Sequence, residues 1–369
     1  MKICFVVEDI YPTLNPSTGI LNTNGRAVHF KHLGEALMEL GHDVSYVTMD
    51  HGQKDRENLG GFAVYKMYRP GEGIPGFRFI SVKVPKLLRA MKAADADVYV
   101  FMCSEAFVGI VAAYCTWNGK LFVYHGGADR DFEGNAWKMN VRDYLFFRYG
   151  LKRADLVICQ NGFQKKTLME YYGMEGHVLR NPMAQAERTY NGKGSIVWIA
   201  QYRYYKRPEI LVELARRIKD DFIMIGGSTP DYPEAKYRKI NSLASAAGVK
   251  VMGPLSYREV DGILSRAKLL INTSEVEGLS NTFLAAWRRG IPVASFVDPD
   301  NMIRENGLGE VAGDIEEMVN AVEKLRKGVP EAYSEHIKEF FDRTFSPYKI
   351  ASDFMELVDL VRRERQGSE

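Results

Sequence analysis

Apolar and polar positions alternate along this chain on two length scales. Strand-length apolar runs are followed by helix-length stretches with apolar positions three or four apart, and the pair repeats to the end, as in a parallel sheet with crossover helices. Residues 2–7 (KICFVV) predict a buried strand, 23–40 a helix with Val28, Leu33, Leu37 and Leu40 on its apolar face, and 44–48 the next strand after Gly41. Apolar runs at 98–102, 121–124 and 156–159 extend that first sheet. The stretch 180–194 (RNPMAQAERTYNGKG) is polar and turn-rich, and a new strand opens at 195–200, so a domain boundary is expected here. The same rhythm then predicts strands at 196–200, 222–225 (ending in Gly226-Gly227), 249–252, 269–272 and 292–295, with helices at 208–218, 235–247, 257–266 and 281–288. A last helix at 348–365 carries a stripe of Ile350, Phe354, Leu357, Leu360 and Val361 that must cover something.

The expected fold class is therefore α/β, with two Rossmann-like doubly wound parallel-sheet domains facing across a cleft. Residues 1–187 form the first, 188–345 the second, and 346–369 a C-terminal helix free to pack on either domain, including back on the first. A length of 369 residues fits two domains of the usual ~100–200 residues. In open α/β sheets ligands gather at the C-terminal strand ends, so the site is expected to draw on both halves.

Composition narrows the class. With 46% hydrophobic and 26% charged residues the chain is globular, and a net charge of +2 lacks the basic footprint of a nucleic-acid binder. No apolar run approaches the ~20 residues needed to cross a bilayer. The start MKICFVVEDIYP turns polar too soon for a signal peptide, so a cytoplasmic protein is expected. Cys4, Cys103, Cys115 and Cys159 are widely spaced, three of them in strand-like runs, which fits buried reduced thiols and no structural metal.

The stretch 272–293 (NTSEVEGLSNTFLAAWRRGIPV) reads as a strand end, a loop with two glutamates, a Ser-Asn-Thr cap, a helix and a strand. Backbone N–H groups of Gly278, Leu279, Ser280 and Asn281 would then open a helix, where unpaired donors and the dipole favour a phosphate, with Glu277 facing what the phosphate carries. On local sequence alone an ordinary N-cap beside a solvated acid explains the stretch equally well.

This segment resembles the donor-binding segment of the retaining glycosyltransferases of GT-B fold, in the large family four group. WIAQYRYYKRPEILVELARRI, DFIMIGG, VKVMGPLSYREVDGILSRAKLLINTS and GIPVASFVDPDN follow that family's C-terminal domain in order. The resemblance implies an acceptor-binding first domain and a second domain that binds a nucleotide-diphosphate sugar, with Lys206 meeting the diphosphate and Glu277 the sugar. Gly226 and Gly227 fall in its donor-binding region. Eight positions beyond Glu277, where the family has a second glutamate, stands Ala285, and five before Lys206, where it commonly has arginine, stands Gln201. Arg203 is the nearest replacement charge. Each lost charged hydrogen bond costs ~1.5–3 kcal/mol, so donor affinity would fall roughly tenfold to a hundredfold.

In the first half, LFVYHGGADRDFEG sets His125 at a strand end before Gly126-Gly127. An isolated histidine is commonly structural, but the resemblance implies a place near the transferred sugar. Asp129 and Asp131 are candidates for sugar or acceptor hydroxyls. The loop 16–26 (PSTGILNTNGR) resembles the family's glycine-containing loop, with Asn24 and Gly25 at its end, Gly25 letting the backbone approach donor or acceptor. The Asp-x-Asp pairs Asp95/Asp97 and Asp298/Asp300 read as loop acids, and no metal cofactor is expected. Between Gly73 and Ala94 there is no acid, and Arg78, Lys83, Lys86, Arg89 and Lys92 alternate with Phe77, Phe79, Ile80, Leu87, Leu88 and Met91. That segment suits an ordinary surface helix, or peripheral contact with an anionic membrane.

The resulting expectation is a metal-independent, retaining glycosyltransferase acting on a glycan, lipid-linked or small-molecule acceptor, with His125, Lys206 and Glu277 at the reacting centre. Its rivals are a catalytically silent nucleotide-sugar-binding protein and an epimerase or phosphorylase of the same fold. A dinucleotide oxidoreductase is disfavoured because the first strand-to-helix turn lacks Gly-x-Gly-x-x-Gly.

Overall fold

Alternate residues of the first strand, β1 (Lys2–Val6), enter different cores: Ile3 and Phe5 join one apolar cluster, Cys4 and Val6 another, and all four are buried. A strand apolar on both faces needs helices on both, and the rest of the chain supplies them. The computed structural model describes residues 1–20, 25–133 and 140–367. It divides into two compact units, Met1–Pro182 with Pro347–Glu369, and Met183–Ser346.

In chain order the first unit contains, after β1, α1 (Tyr11–Leu14), α2 (Gly25–Glu39), β2 (Asp43–Thr48), β3 (Arg56–Leu59), β4 (Phe62–Lys66), α3 (Val84–Ala94), β5 (Val98–Met102), α4 (Phe107–Trp117), β6 (Leu121–His125), α5 (Val141–Leu151), β7 (Leu156–Cys159), α6 (Gly162–Tyr172) and β8 (His177–Val178). Among the described residues these strands form one sheet in the order β3-β4-β2-β1-β5-β6-β7-β8, parallel except for the β3–β4 hairpin. That hairpin is absent from the expected strands because its outer strand, RENL, is polar and only partly covered. Cys115 lies in helix α4, while Cys4 and Cys159 lie in strands.

The second unit runs β9 (Ser195–Ile199), α7 (Pro208–Arg217), β10 (Phe222–Ile225), α8 (Glu234–Ala246), β11 (Lys250–Gly253), α9 (Tyr257–Leu264), β12 (Ala267–Asn272), α10 (Asn281–Trp287), β13 (Val293–Ser295), α11 (Met302–Glu305), β14 (Gly309–Val311), α12 (Ile315–Leu325) and α13 (Glu331–Phe345). Its parallel sheet has the order β11-β10-β9-β12-β13-β14. Ile196 and Trp198 face one core and Val197 the other, as in β1.

The last helix, α14 (Pro347–Gly367), belongs to the first unit and packs on α2. Ile350, Ala351, Phe354, Met355 and Val358 enter the same core as Ile3 and Phe5. Leu360, expected in the covered stripe, is instead 44% exposed, because the helix is covered along a narrower face than its apolar residues occupy. Arg365 fixes the far end by donating to the Lys120 carbonyl at 3.0 Å.

Candidate active site

In the second sheet the chain adds β10 and β11 on one side of β9, then returns to lay β12 on the other side. The loops leaving β9 and β12 therefore diverge at a switch point, where open α/β sheets hold ligands. Lys206 ends a 3-10 turn (Tyr204–Lys206) in the first of these loops, and Glu277 lies in the second, 71 positions away in sequence. Their side chains form an ion pair, each largely sheltered from solvent, and Ser274 Oγ donates to the same Glu277 oxygen at 3.1 Å.

Hydrogen bonds to backbone carbonyls stitch the two loops together. Glu275 N–H donates to the Tyr205 carbonyl at 2.8 Å, Thr273 Oγ1 to the Lys206 carbonyl at 2.6 Å, and Arg207 Nε to the Thr273 carbonyl at 2.8 Å. Trp198 Nε1, inside the core, donates to Thr273 Oγ1 at 2.9 Å, so one hydroxyl links strand, loop and lysine. Arg207 reaches its place by adopting φ +44°, a left-handed conformation that costs a non-glycine residue ~1–2 kcal/mol. Thr273 and Arg207 did not stand out in the sequence, since nothing local distinguishes them from solvated loop residues.

The remaining donor-side candidates have varied surroundings. Gly226 has no room for a side chain, since a Cβ there would sit 1.8 Å from the Ala200 carbonyl oxygen; it lets the β10 loop lie against the β9 loop. Gly227 accepts from Tyr202 N–H at 2.9 Å in the same contact. Arg203 accepts from Lys206 N–H at 3.0 Å through its carbonyl, and its guanidinium lies 3.8 Å from Asp231. Gly278 is partly buried, Leu279 anchors the loop in the core, and Ser280 caps α10 by accepting from Thr282 N–H at 3.4 Å. Helix α10, begun by Asn281, has only 7 residues, so its dipole is smaller than a full-length helix would supply. Ala285 is buried in the apolar core, whereas Gln201 is exposed.

In the first unit the switch point lies between β1 and β5. Arg26, at the start of α2, lies 3.0 Å from Asp9 and 3.8 Å from Glu105, and Tyr68 donates its hydroxyl proton to Glu8. Burial, reinforced by the Glu8 charge, pushes the Glu105 carboxyl up to about 7. Gly25 begins α2 beside Arg26, and Asn24 lies outside the described residues.

His125 ends β6 fully enclosed. Its Nδ1–H donates to the Gly126 carbonyl at 2.9 Å, its ring meets His29 edge-on at 4.8 Å, and its Nε2 has no partner among the described residues. Burial holds it down to about 4, and burial also holds His29 well below the usual range, so both are neutral at pH 7. Asp131 accepts from the N–H groups of Gly127 and Ala128 at 2.8 and 3.1 Å and from Ser104 Oγ at 3.0 Å. Asp129 accepts from Asn161 and Gln164, each at 3.0 Å. Both acids are thus engaged in holding the loop after β6. Asp95 pairs with Lys120 and Asp298 accepts from Ile303 N–H, tasks of ordinary loop acids. Among the described residues no group of three or more His, Cys, Asp or Glu could hold a metal ion, and no helix is long and apolar enough to cross a membrane.

The profile for Glycosyltransferase Family 4 matches residues 23–183, and that for Glycosyl transferases group 1 matches residues 193–327. Among solved structures the chain resembles sucrose-phosphate synthase from Thermosynechococcus elongatus (15% identity over 99% of this chain and 100% of that one, TM-score 0.71). It also resembles Anabaena HepE in complex with UDP and glucose (14%, 97% and 99%, TM-score 0.70). A third is the catalytic domain of starch synthase IV from Arabidopsis thaliana bound to ADP and acarbose (12%, 98% and 99%, TM-score 0.71). Among curated proteins no sequence match was found. Two parallel-sheet α/β domains of this kind match the GT-B fold of the glycosyltransferase structures. Within that class the chain belongs to glycosyltransferase family 4, of the group 1 glycosyltransferases.

Proposed function

We propose that the chain moves a sugar from a nucleoside-diphosphate sugar to an acceptor hydroxyl with retention and without a metal, and that the Lys206–Glu277 pair is the centre of its donor site. The observation that carries this reading is the pair itself: a lysine and a glutamate from the two loops of a switch point, which hydrogen bonds hold together. With no donor bound, the two charges neutralise each other. An arriving diphosphate takes the lysine, and the freed carboxylate accepts hydrogen bonds from sugar hydroxyls. As the glycosidic bond breaks, negative charge grows on the departing phosphate, and a fixed cation stabilises that charge without reorganising. The same phosphate oxygen then takes the acceptor proton on the face it has left, which gives retention. Anabaena HepE is bound to UDP and glucose, and starch synthase IV to ADP, so nucleotides of both bases are the donors to try. The acceptor is a glycan, lipid-linked or small-molecule hydroxyl. Four unpaired cysteines fit a reducing compartment, the cytoplasm.

The core position of Ala285 favours a second reading, donor binding without transfer, because no charged group stands there to meet the donor. A thermal-shift panel of UDP-, ADP- and GDP-sugars, with magnesium or with a chelator, tests the first point. Stabilisation by one nucleotide series regardless of magnesium, lost in Lys206→Ala, is expected; no stabilisation at millimolar donor would refute the site. Sugar transfer or donor hydrolysis then separates the enzyme from the silent binder.

A further inference from the structure

The outward face of α5 is apolar. Val141, Leu145 and Tyr149 recur at every fourth position and are 74%, 59% and 37% exposed, where a surface helix would present polar residues. Beside them Trp117, at the end of α4, is 81% exposed. Between α3, α4 and α5 runs a groove of about 460 Å³, lined by Leu88 of α3, Ile110 and Trp117 of α4, and Leu145 and Tyr149 of α5. Helices α4 and α5 approach closely at glycines: a Cβ on Gly109 would lie 2.5 Å from the Phe146 carbonyl oxygen, and one on Gly150 2.5 Å from Val108. Contiguous exposed apolar surface of this kind marks an interaction site.

Cations outnumber acids around the groove. Lys86, Arg89 and Lys92 project from α3 and Arg142 and Arg148 from α5, while α4 has no charged residue. The one acid on these three helices, Asp143, is paired with Arg142 at 2.7 Å, and Glu72 holds Lys86 from the preceding loop. Arg142 lies 4.3 Å over the Phe79 ring and Arg153 3.9 Å over the Tyr149 ring, so cations rest on aromatic faces at the rim. An apolar strip with Trp and Tyr at its edge and Lys and Arg around it matches the layers of an anionic lipid surface: acyl chains, interface and phosphates. A second copy of the chain would set these cations against one another.

We propose that the α3–α4–α5 face docks on an anionic phospholipid bilayer, with the groove taking up acyl-chain surface. The test is co-sedimentation of the full chain with phosphatidylcholine vesicles made with or without phosphatidylglycerol, together with tryptophan emission. Binding is expected only with phosphatidylglycerol, accompanied by a blue shift of emission that Trp117→Phe removes. Arg89→Glu/Arg148→Glu and Leu145→Asp should each weaken binding about tenfold or more. All of these positions are exposed, and thermal melting of each variant confirms that it is folded. Binding that is equal on uncharged vesicles, or unchanged in the folded variants, would overturn the proposal. So would a dimer that Leu145→Asp dissociates, since a second copy would then own the face.

Discussion

The two sheets place ionised residues at the same topological position and arrange them differently. At the β9/β12 switch point one lysine meets one glutamate, with Ser274 steadying the carboxylate. At the β1/β5 switch point Glu8, Asp9 and Glu105 gather around Arg26, and burial, reinforced by the neighbouring carboxylates, pushes Glu105 up to about 7. A diphosphate approaching the first finds a cation whose counter-charge can be displaced; approaching the second, it finds an excess of carboxylate. Topology decides where a ligand can collect, and the local balance of charge decides which ligand.

The largest expected contrast between the two regions is in acid. Unfolded histidine takes up a proton near its ordinary 6.5, whereas buried His125 does so only at about 4, so between these values the unfolded chain binds more protons and stability falls as pH falls. The full shift corresponds to roughly 3 kcal/mol. Glu105 works in the opposite direction over its own range, because its folded carboxyl holds a proton that the unfolded one releases. The difference between the chain and His125→Asn in urea melts from neutral to acid pH therefore isolates the histidine, and that difference should shrink steadily with falling pH. A difference that does not change with pH would contradict the buried, neutral ring.

Next in size is Lys206→Ala. It should weaken donor binding roughly tenfold to a hundredfold, the equivalent of ~1.5–3 kcal/mol for one charged hydrogen bond. It should also destabilise the second unit by stranding Glu277, and Lys206→Ala/Glu277→Ala should recover part of that loss in denaturant melts. Additive losses would mean that the two side chains do not act as a pair. Smaller again is Thr273→Val, which keeps the shape but leaves the buried Trp198 N–H without its acceptor, at a cost of ~1–3 kcal/mol in stability. Donor affinity should drop only a fewfold. A loss as large as that of Lys206→Ala would move the centre of the site to the threonine.

Much of the fold was legible because strands such as β1, β5 and β7 are buried on both faces and read as apolar runs. The β3–β4 hairpin escaped notice although Gly60-Gly61, between RENL and FAVYK, is a recognised hairpin signal; its polar outer strand broke the pattern on which the reading relied. Glu277 was legible from the loop before a helix start, with an ordinary N-cap as an equal alternative, and Lys206 only through resemblance to a family; that the two meet was not legible, since residues 71 positions apart carry no local sign of contact. The stitch through Thr273 and Arg207 was invisible for the same reason: its bonds exist only once β9 and β12 lie side by side. Asp129 and Asp131 show the reverse, acids that looked available and are engaged in holding a loop.

The most direct test of the account is a calorimetric titration of a free nucleoside diphosphate and of the matching nucleotide sugar into the chain, Lys206→Ala and Glu277→Gln. If Lys206 binds the diphosphate and Glu277 the sugar, Glu277→Gln should bind the free diphosphate at least as well as the parent, having lost the lysine's internal partner, and should lose the additional affinity that the sugar confers. Lys206→Ala should bind both ligands poorly. Equal loss of both ligands in Glu277→Gln, or undiminished diphosphate binding in Lys206→Ala, would contradict it.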